Sequence, residues 1–221
     1  EYKKDDFIKF HLSKLTPFDE IKLLSQKPDI KNGYGGFYDF KRVFWLLNSV
    51  DENSPKSHAL KFISEKEISE LNLSVDFISS LRSALQISGG DDELKSEYLS
   101  EVSSVMQTKE KKMLSAEVLL MVKTLSSMHT IYIYSRYLAK TVFRRFFDSG
   151  LNFTQKRVLR LQNGFYNIND TIYAPIHKKP KDILNLVRDL LMLPDIDLKF
   201  DIGAIFYLKR TIIQKESIEK S

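Results

Sequence analysis

The sequence predicts an all-α fold, a multi-helix globular protein that allows a minor β-hairpin near 165–180. Three observations carry that prediction. Only eight Gly and six Pro punctuate 221 residues, so the segments between breakers outlast ordinary strands. Apolar residues in those segments recur at spacings of three and four, which is the signature of a helix with one buried face. The mix of 43% hydrophobic and 29% charged residues is that of a chain able to bury a core. At this length roughly 70% of the extended surface leaves water on folding.

The elements follow in order. Thr16-Pro17 reads as a helix start, with the hydroxyl as N-cap and Pro at the first helical position, leading into Asp19 to Leu24. Residues 27–36 are a loop, because Asn32-Gly33 and Gly35-Gly36 supply positive-φ positions. Phe40, Val43, Phe44 and Leu47 then mark the apolar face of a helix over 37–50, with Trp45 beside it. Asp51 to Pro55 is a linker. Two helices are expected at about 64–72 and 74–87, separated at Asn72-Leu73 and stopped by Ser88-Gly89-Gly90. A polar helix over about 92–107 is expected next, its start decorated by Asp91-Asp92-Glu93 to suit the helix dipole.

Lys109-Glu110-Lys111-Lys112 marks the expected boundary between an acidic helical subdomain, 1–110, and a basic one, 111–221. Ser115 caps a long apolar stretch to Phe147, with a break expected near Ser126 to His129. Thr130 to Tyr134 is rich in β-formers and reads as a short strand or helix. Asn152 caps a helix through Leu161, Thr171-Ile172-Tyr173 is the core of the allowed hairpin, and helices at about 180–193 and 202–217 close the chain.

Composition excludes several chemistries. There is no Cys, which removes disulfides, thiolate catalysis and sulfur-ligated zinc and points to a reducing, intracellular setting in cytoplasm or nucleus. No apolar run approaches the ~18 residues needed to span a bilayer. The chain opens without Met, which fits a processed form or a piece of something longer. His11, His58, His129 and His177 stand far apart, none with a metal-ligand partner at i+3 or i+4. Asn32 to Gly36 lacks the Lys-Ser/Thr of a phosphate loop and the spacing of a dinucleotide fingerprint, and reads as a flexible loop. No catalytic residues, metal or cofactor are therefore expected, and the sequence reads as non-enzymatic.

The clearest asymmetry is electrostatic. Residues 1–100 carry a net charge of −3 and residues 101–221 a net +8, and no acidic residue lies between Val118 and Phe147. On a helix, Arg136, Lys140 and Arg144 fall at i, i+4 and i+8 and form a stripe of like charge. Such a stripe seeks an anion. With Lys123, Arg145, Lys156, Arg157 and Arg160 it makes a candidate nucleic-acid or polyanion face, with Tyr132 and Tyr137 as stacking surfaces. The competing reading is a helical protein-protein adaptor in a larger assembly, docking an acidic protein surface or folding the acidic segment 51–101 over the basic face. Residues 67–82 also resemble a helix-turn-helix, with Ser74 capping the second helix, but Asp76 stands where a phosphate would be met.

Overall fold

A computed structural model describes residues 4–15, 26–50, 59, 61–109, 114–147, 158–160, 165–168, 171–174 and 199–218. Among these, 72% are helical, as the periodicity predicts. The chain divides into two compact units, Glu1–Asp148 and Ser149–Ser221.

The first unit holds α1 (Lys4–Leu15), α2 (Phe37–Val50), α3 (Glu65–Ile87), α4 (Leu99–Val105) and α5 (Ala116–Phe147). The predicted helix from Thr16 to Leu24 and the linker at 51–55 lie outside the described residues. α2 starts where expected, directly after Gly35-Gly36. Its core face is rotated from the predicted one, with Val43, Leu46 and Leu47 buried and Phe44 44% exposed. Trp45 packs edge-on against His11 of α1, ring centroids 5.2 Å apart.

α3 corrects the two-helix expectation and dissolves the resemblance to a helix-turn-helix. Glu65 to Ile87 is one helix, and Asn72 and Leu73 lie within it. Neither residue breaks the backbone ladder as Gly or Pro would, and the stripe Leu71, Val75, Ile78, Leu81 and Leu85 is buried continuously across the supposed turn. Ser74 does not cap; its hydroxyl donates to the Glu70 carbonyl at 3.0 Å. The cap is Ser64, in a reciprocal box with Glu67: the Glu67 N–H donates to Ser64 Oγ at 3.3 Å and the Ser64 N–H to Glu67 Oε2 at 2.7 Å. The helix stops as expected, with Gly89 at φ +73°.

The polar helix expected over 92–107 is shorter, a single 3-10 turn at Ser96–Tyr98 running into α4. Asp91-Asp92-Glu93 is therefore not a helix N-terminus. Asp92 is drawn away by Lys31 and Arg82, at 3.0 and 2.6 Å, and Glu93 forms an antiparallel bridge with Asp29.

α5 runs unbroken for 32 residues, about 48 Å at 1.5 Å per residue. Ser115 caps it as predicted. The expected break at 126–129 is absent and Thr130 to Tyr134 is helical. The physical reason is packing: α5 lies against α1, α2, α3 and α4, Ser127 and Met128 are buried at the supposed break, and six consecutive residues, Ile131 to Arg136, are buried beyond it. Burial that continuous hides the helical period over 131–136, and tertiary packing overrides the β-propensity of the isoleucines and tyrosines there. This packing also moves the division of the chain from residue 110 to the end of α5, because α5 is the shared core of everything before it.

In the second unit β1 (Val158–Arg160), β2 (Tyr166–Ile168), β3 (Thr171–Tyr173) and β4 (Lys199–Phe200) form a small sheet in that order. β2 and β3 are the antiparallel hairpin allowed near 165–180, with Asn167 opposite Ile172. β1 replaces the end of the helix expected from Asn152, and β4 joins β3 in parallel. Phe165, Ile172 and Ala204 are the core, with Phe200 and Tyr207 packed against it. α6 (Ile202–Ile218) begins where predicted, its first turn held by the Gly203 N–H donating to Asp201 Oδ2 at 2.9 Å. The helix expected at 180–193 lies outside the described residues.

Candidate functional site

The predicted basic stripe is not one exposed face. Arg136 is buried, 1% exposed, because the face of α5 that carries it packs inside the first unit. Lys140 is half-buried and Lys123 exposed, its Nζ 4.4 Å from the centre of the Phe77 ring. Arg144 and Arg145 follow on the backbone of α5, and Arg160 lies in β1 opposite Tyr166. Lys156 and Arg157 lie outside the described residues.

The structure instead assembles a site around the loop before α2. Asp29 opens it as a turn, with Oδ1 accepting the Lys31 N–H at 2.9 Å and the Asn32 N–H at 2.7 Å. Further backbone bonds close it, from Gly33 to Asp29, Gly36 to Gly33, Phe37 to Ile30 and Tyr38 to Lys31. Across the loop, Ile30 donates to Asp92 and Leu94 to Pro28. This is a densely bonded turn rather than the flexible loop expected. Gly35 is required where it stands: at φ +72° a Cβ would lie 1.8 Å from the Met128 carbonyl of α5.

Asp39, 3% exposed, is the hub. Its Oδ2 accepts the Gly35 N–H at 2.8 Å and faces Arg136 Nη1 at 3.1 Å, while Oδ1 meets Arg42 Nη1 at 3.3 Å. The Arg136 contact is close enough for an ion pair but misaligned for a hydrogen bond, so Nε and Nη1 have no hydrogen-bond acceptor among the described residues. The guanidinium lies between aromatic rings, 4.7 Å from the centre of Tyr132 and 6.0 Å from that of Tyr34. Burial pushes the Tyr132 hydroxyl above the usual tyrosine range, against the opposing charge of Arg136.

Outside this buried pair lies a cationic surface. Lys31 Nζ, Lys41 Nζ and Arg42 Cζ sit 5.9, 5.8 and 5.7 Å from the centre of the Tyr38 ring, and Lys41 is also 4.7 Å from that of Phe37. Lys31 and Arg82 share Asp92. Burial alone would raise Asp92, but hydrogen bonds from Arg82 and Lys31 and their charges outweigh it, holding the carboxyl below its ordinary range. No group of three His, Asp or Glu among the described residues is placed to hold a metal ion, and no helix among them is long and apolar enough to cross a membrane. The arrangement positions a loop on a helix and presents positive charge beside aromatic rings.

The profile of the GlnD PII-uridylyltransferase family matches residues 18–138, just over half the chain. The chain belongs to this family. No curated protein and no solved structure matches it. The GlnD match takes in both Asp39 and Arg136, together with the glycine loop, α2, α3 and α4. Membership overturns two expectations from the sequence, that the chain is non-enzymatic and that it is a nucleic-acid-binding or adaptor module, because the family is an enzyme-associated one. The first rested on the absence of local catalytic motifs, which a site assembled by the fold does not need, and the second on net charge, which reports attraction to anions and not chemistry. Asp39, Tyr38 and Arg42 went unseen, and Gly35 and Asp92 were read only as loop and helix-dipole residues, because the contacts that gather them, Asp39 with Arg136 and Asp92 with Lys31 and Arg82, join segments separated in sequence. The one available signal was the glycine spacing of residues 33–36.

Proposed function

We propose that the chain is part of a uridylyltransferase-related enzyme, which moves a uridylyl group from a nucleotide to a protein acceptor of the PII type. The family match over 18–138 is the observation that carries this reading. In such a transfer an acceptor oxygen bonds to the α-phosphorus of UTP, the bond to the β-phosphate breaks, and pyrophosphate leaves with the electron pair. The acceptor's proton passes to a base or to water. Charge accumulates on phosphate oxygens throughout, so positioning and positive charge are what the protein must supply. The first unit supports this part: a loop fixed by Asp39 and Gly35, anchored on α5 and bordered by cations. The cytoplasm, rather than the nucleus, is the compartment that goes with this reading.

The test is transfer of label from α-labelled UTP to a PII-type protein by the full-length protein with Mg2+. Labelled acceptor is expected with UTP in preference to the other nucleoside triphosphates. A protein that is folded by circular dichroism yet transfers no label from any of the four would overturn the reading.

A further inference from the structure

α2 and α3 both lie against α5 and leave a cavity between them. Its floor is six buried hydrocarbon side chains: Val43 and Leu47 of α2, Ala59 and Ile63 ahead of α3, Leu71 of α3 and Leu138 of α5. Its mouth is set on one side by Phe40 and Phe44, their rings 6.2 Å apart and tilted by 30°, and on the other by Ile68 and Asn72 of α3. Phe44 and Asn72 are exposed, so the cavity is reached from solvent. Its volume is about 150 Å³. Protein interiors hold few voids larger than a water molecule, and a water needs ~10–15 Å³ together with two to four polar partners. This cavity offers that room about ten times over and almost none of the partners: among the described residues that line it, none is charged and Asn72 alone is polar. Water is held poorly on such a surface, and its displacement by an apolar group is favourable. A helix, about 10 Å across with its side chains, is too large to enter. A dry cavity of this volume and lining takes a molecule of benzene's size.

We propose that the cleft between α2 and α3 is a binding site for a small uncharged apolar molecule, an aromatic ring or branched hydrocarbon of about six to eight non-hydrogen atoms, seated on Leu71 and Leu138 and bordered by the Phe40 and Phe44 rings. None of its lining residues belongs to the loop around Asp39, and the proposal does not depend on the uridylyltransferase reading. Selection is by size and by exclusion of charge: a carboxylate or phosphate that entered would give up its water with no cation on the lining to meet it.

Fluorobenzene is the probe, followed by its fluorine NMR signal on the full chain, with fluorobenzoate as its charged counterpart. Saturable binding with a Kd below about 1 mM is expected for fluorobenzene, and binding at least about 10-fold weaker for fluorobenzoate. Ala59→Leu extends the floor into the space and should weaken fluorobenzene at least about 10-fold while leaving the thermal midpoint unchanged or raised, as filling a void does. Ile68→Phe narrows the mouth from a half-buried position and should weaken it about 3-fold or more; this variant decides the matter should Ala59→Leu fail to fold. Leu73→Phe changes a side chain of α3 that is 68% exposed and does not line the cleft, and should leave binding within about 2-fold. The proposal is overturned if fluorobenzene shows only non-saturable partitioning or if fluorobenzoate binds as tightly. It is equally overturned if the cleft variants, folded by circular dichroism, bind fluorobenzene like wild type, or if Leu73→Phe weakens it as much as they do.

Discussion

Replacing Asp39 with Ala should cost far more stability than replacing its partner Arg136 with Met, although both side chains are buried. Asp39→Ala strands Arg136 at 1% exposure with two N–H groups that already lack an acceptor. It also frees the buried Gly35 N–H. Leaving an uncompensated buried charge costs about 3–5 kcal/mol, and an unsatisfied buried donor about 1–3 kcal/mol. These overlap, so about 4–6 kcal/mol is expected, a large part of the 5–15 kcal/mol that holds a typical domain together. Arg136→Met removes the unmet donors with the charge and leaves Asp39 bonded to Gly35 and Arg42, so about 0–2 kcal/mol is expected. Urea unfolding followed by the fluorescence of Trp45, which sits on α2 against His11, reads both values at constant m. The double variant should recover most of the loss caused by Asp39→Ala. A result in which Arg136→Met costs as much as Asp39→Ala would refute the charge-stranding argument.

Three further outcomes are expected. Gly35→Ala places a Cβ against the Met128 carbonyl at positive φ and should cost at least about 2 kcal/mol, whereas Gly89→Ala, with the same sign of φ and open space around it, should cost about 1 kcal/mol; paired urea curves compare them. Ser64→Ala removes one half of the α3 capping box and should lower stability by about 1 kcal/mol, measured in the same way. His11 is held below its usual 6.5, first by burial and then by the charge of Arg42. The unfolded chain therefore takes up this proton before the folded one does, so stability is complete above about pH 6.5 and falls as pH drops below it toward the folded value. His11→Phe should flatten that part of the pH–stability profile.

What the sequence made legible was the local part of the structure. Pro and Gly punctuation located the start of α2, the end of α3 and the hairpin at 166–173, since each is set by residues within a few positions. Breaks inside α3 and α5 were misread for one reason: Asn72, Ser74, Ser126 and Thr130 are weak helix formers in isolation, and packing around α5 outweighs that preference. The site was less legible than the fold. Charge counting found Arg136 but placed it in solvent, because a periodic stripe does not say which face of a helix packs inside. Its partner Asp39, on α2, carries no local signal of a buried pair.

The central position of α5 has a consequence for the order of events during synthesis. Asp39 and Arg136 are about 100 residues apart in sequence, and Glu70 waits for Tyr134 in the same way. At ribosomal rates of 5–20 residues per second, the apolar faces of α1 to α3 emerge and remain uncovered for up to roughly 5–20 s before α5 is available to cover them. Nascent chains arrested near residue 110 should therefore bind chaperones and be cut readily by proteases, and protection should arrive in one step once α5 has cleared the exit tunnel.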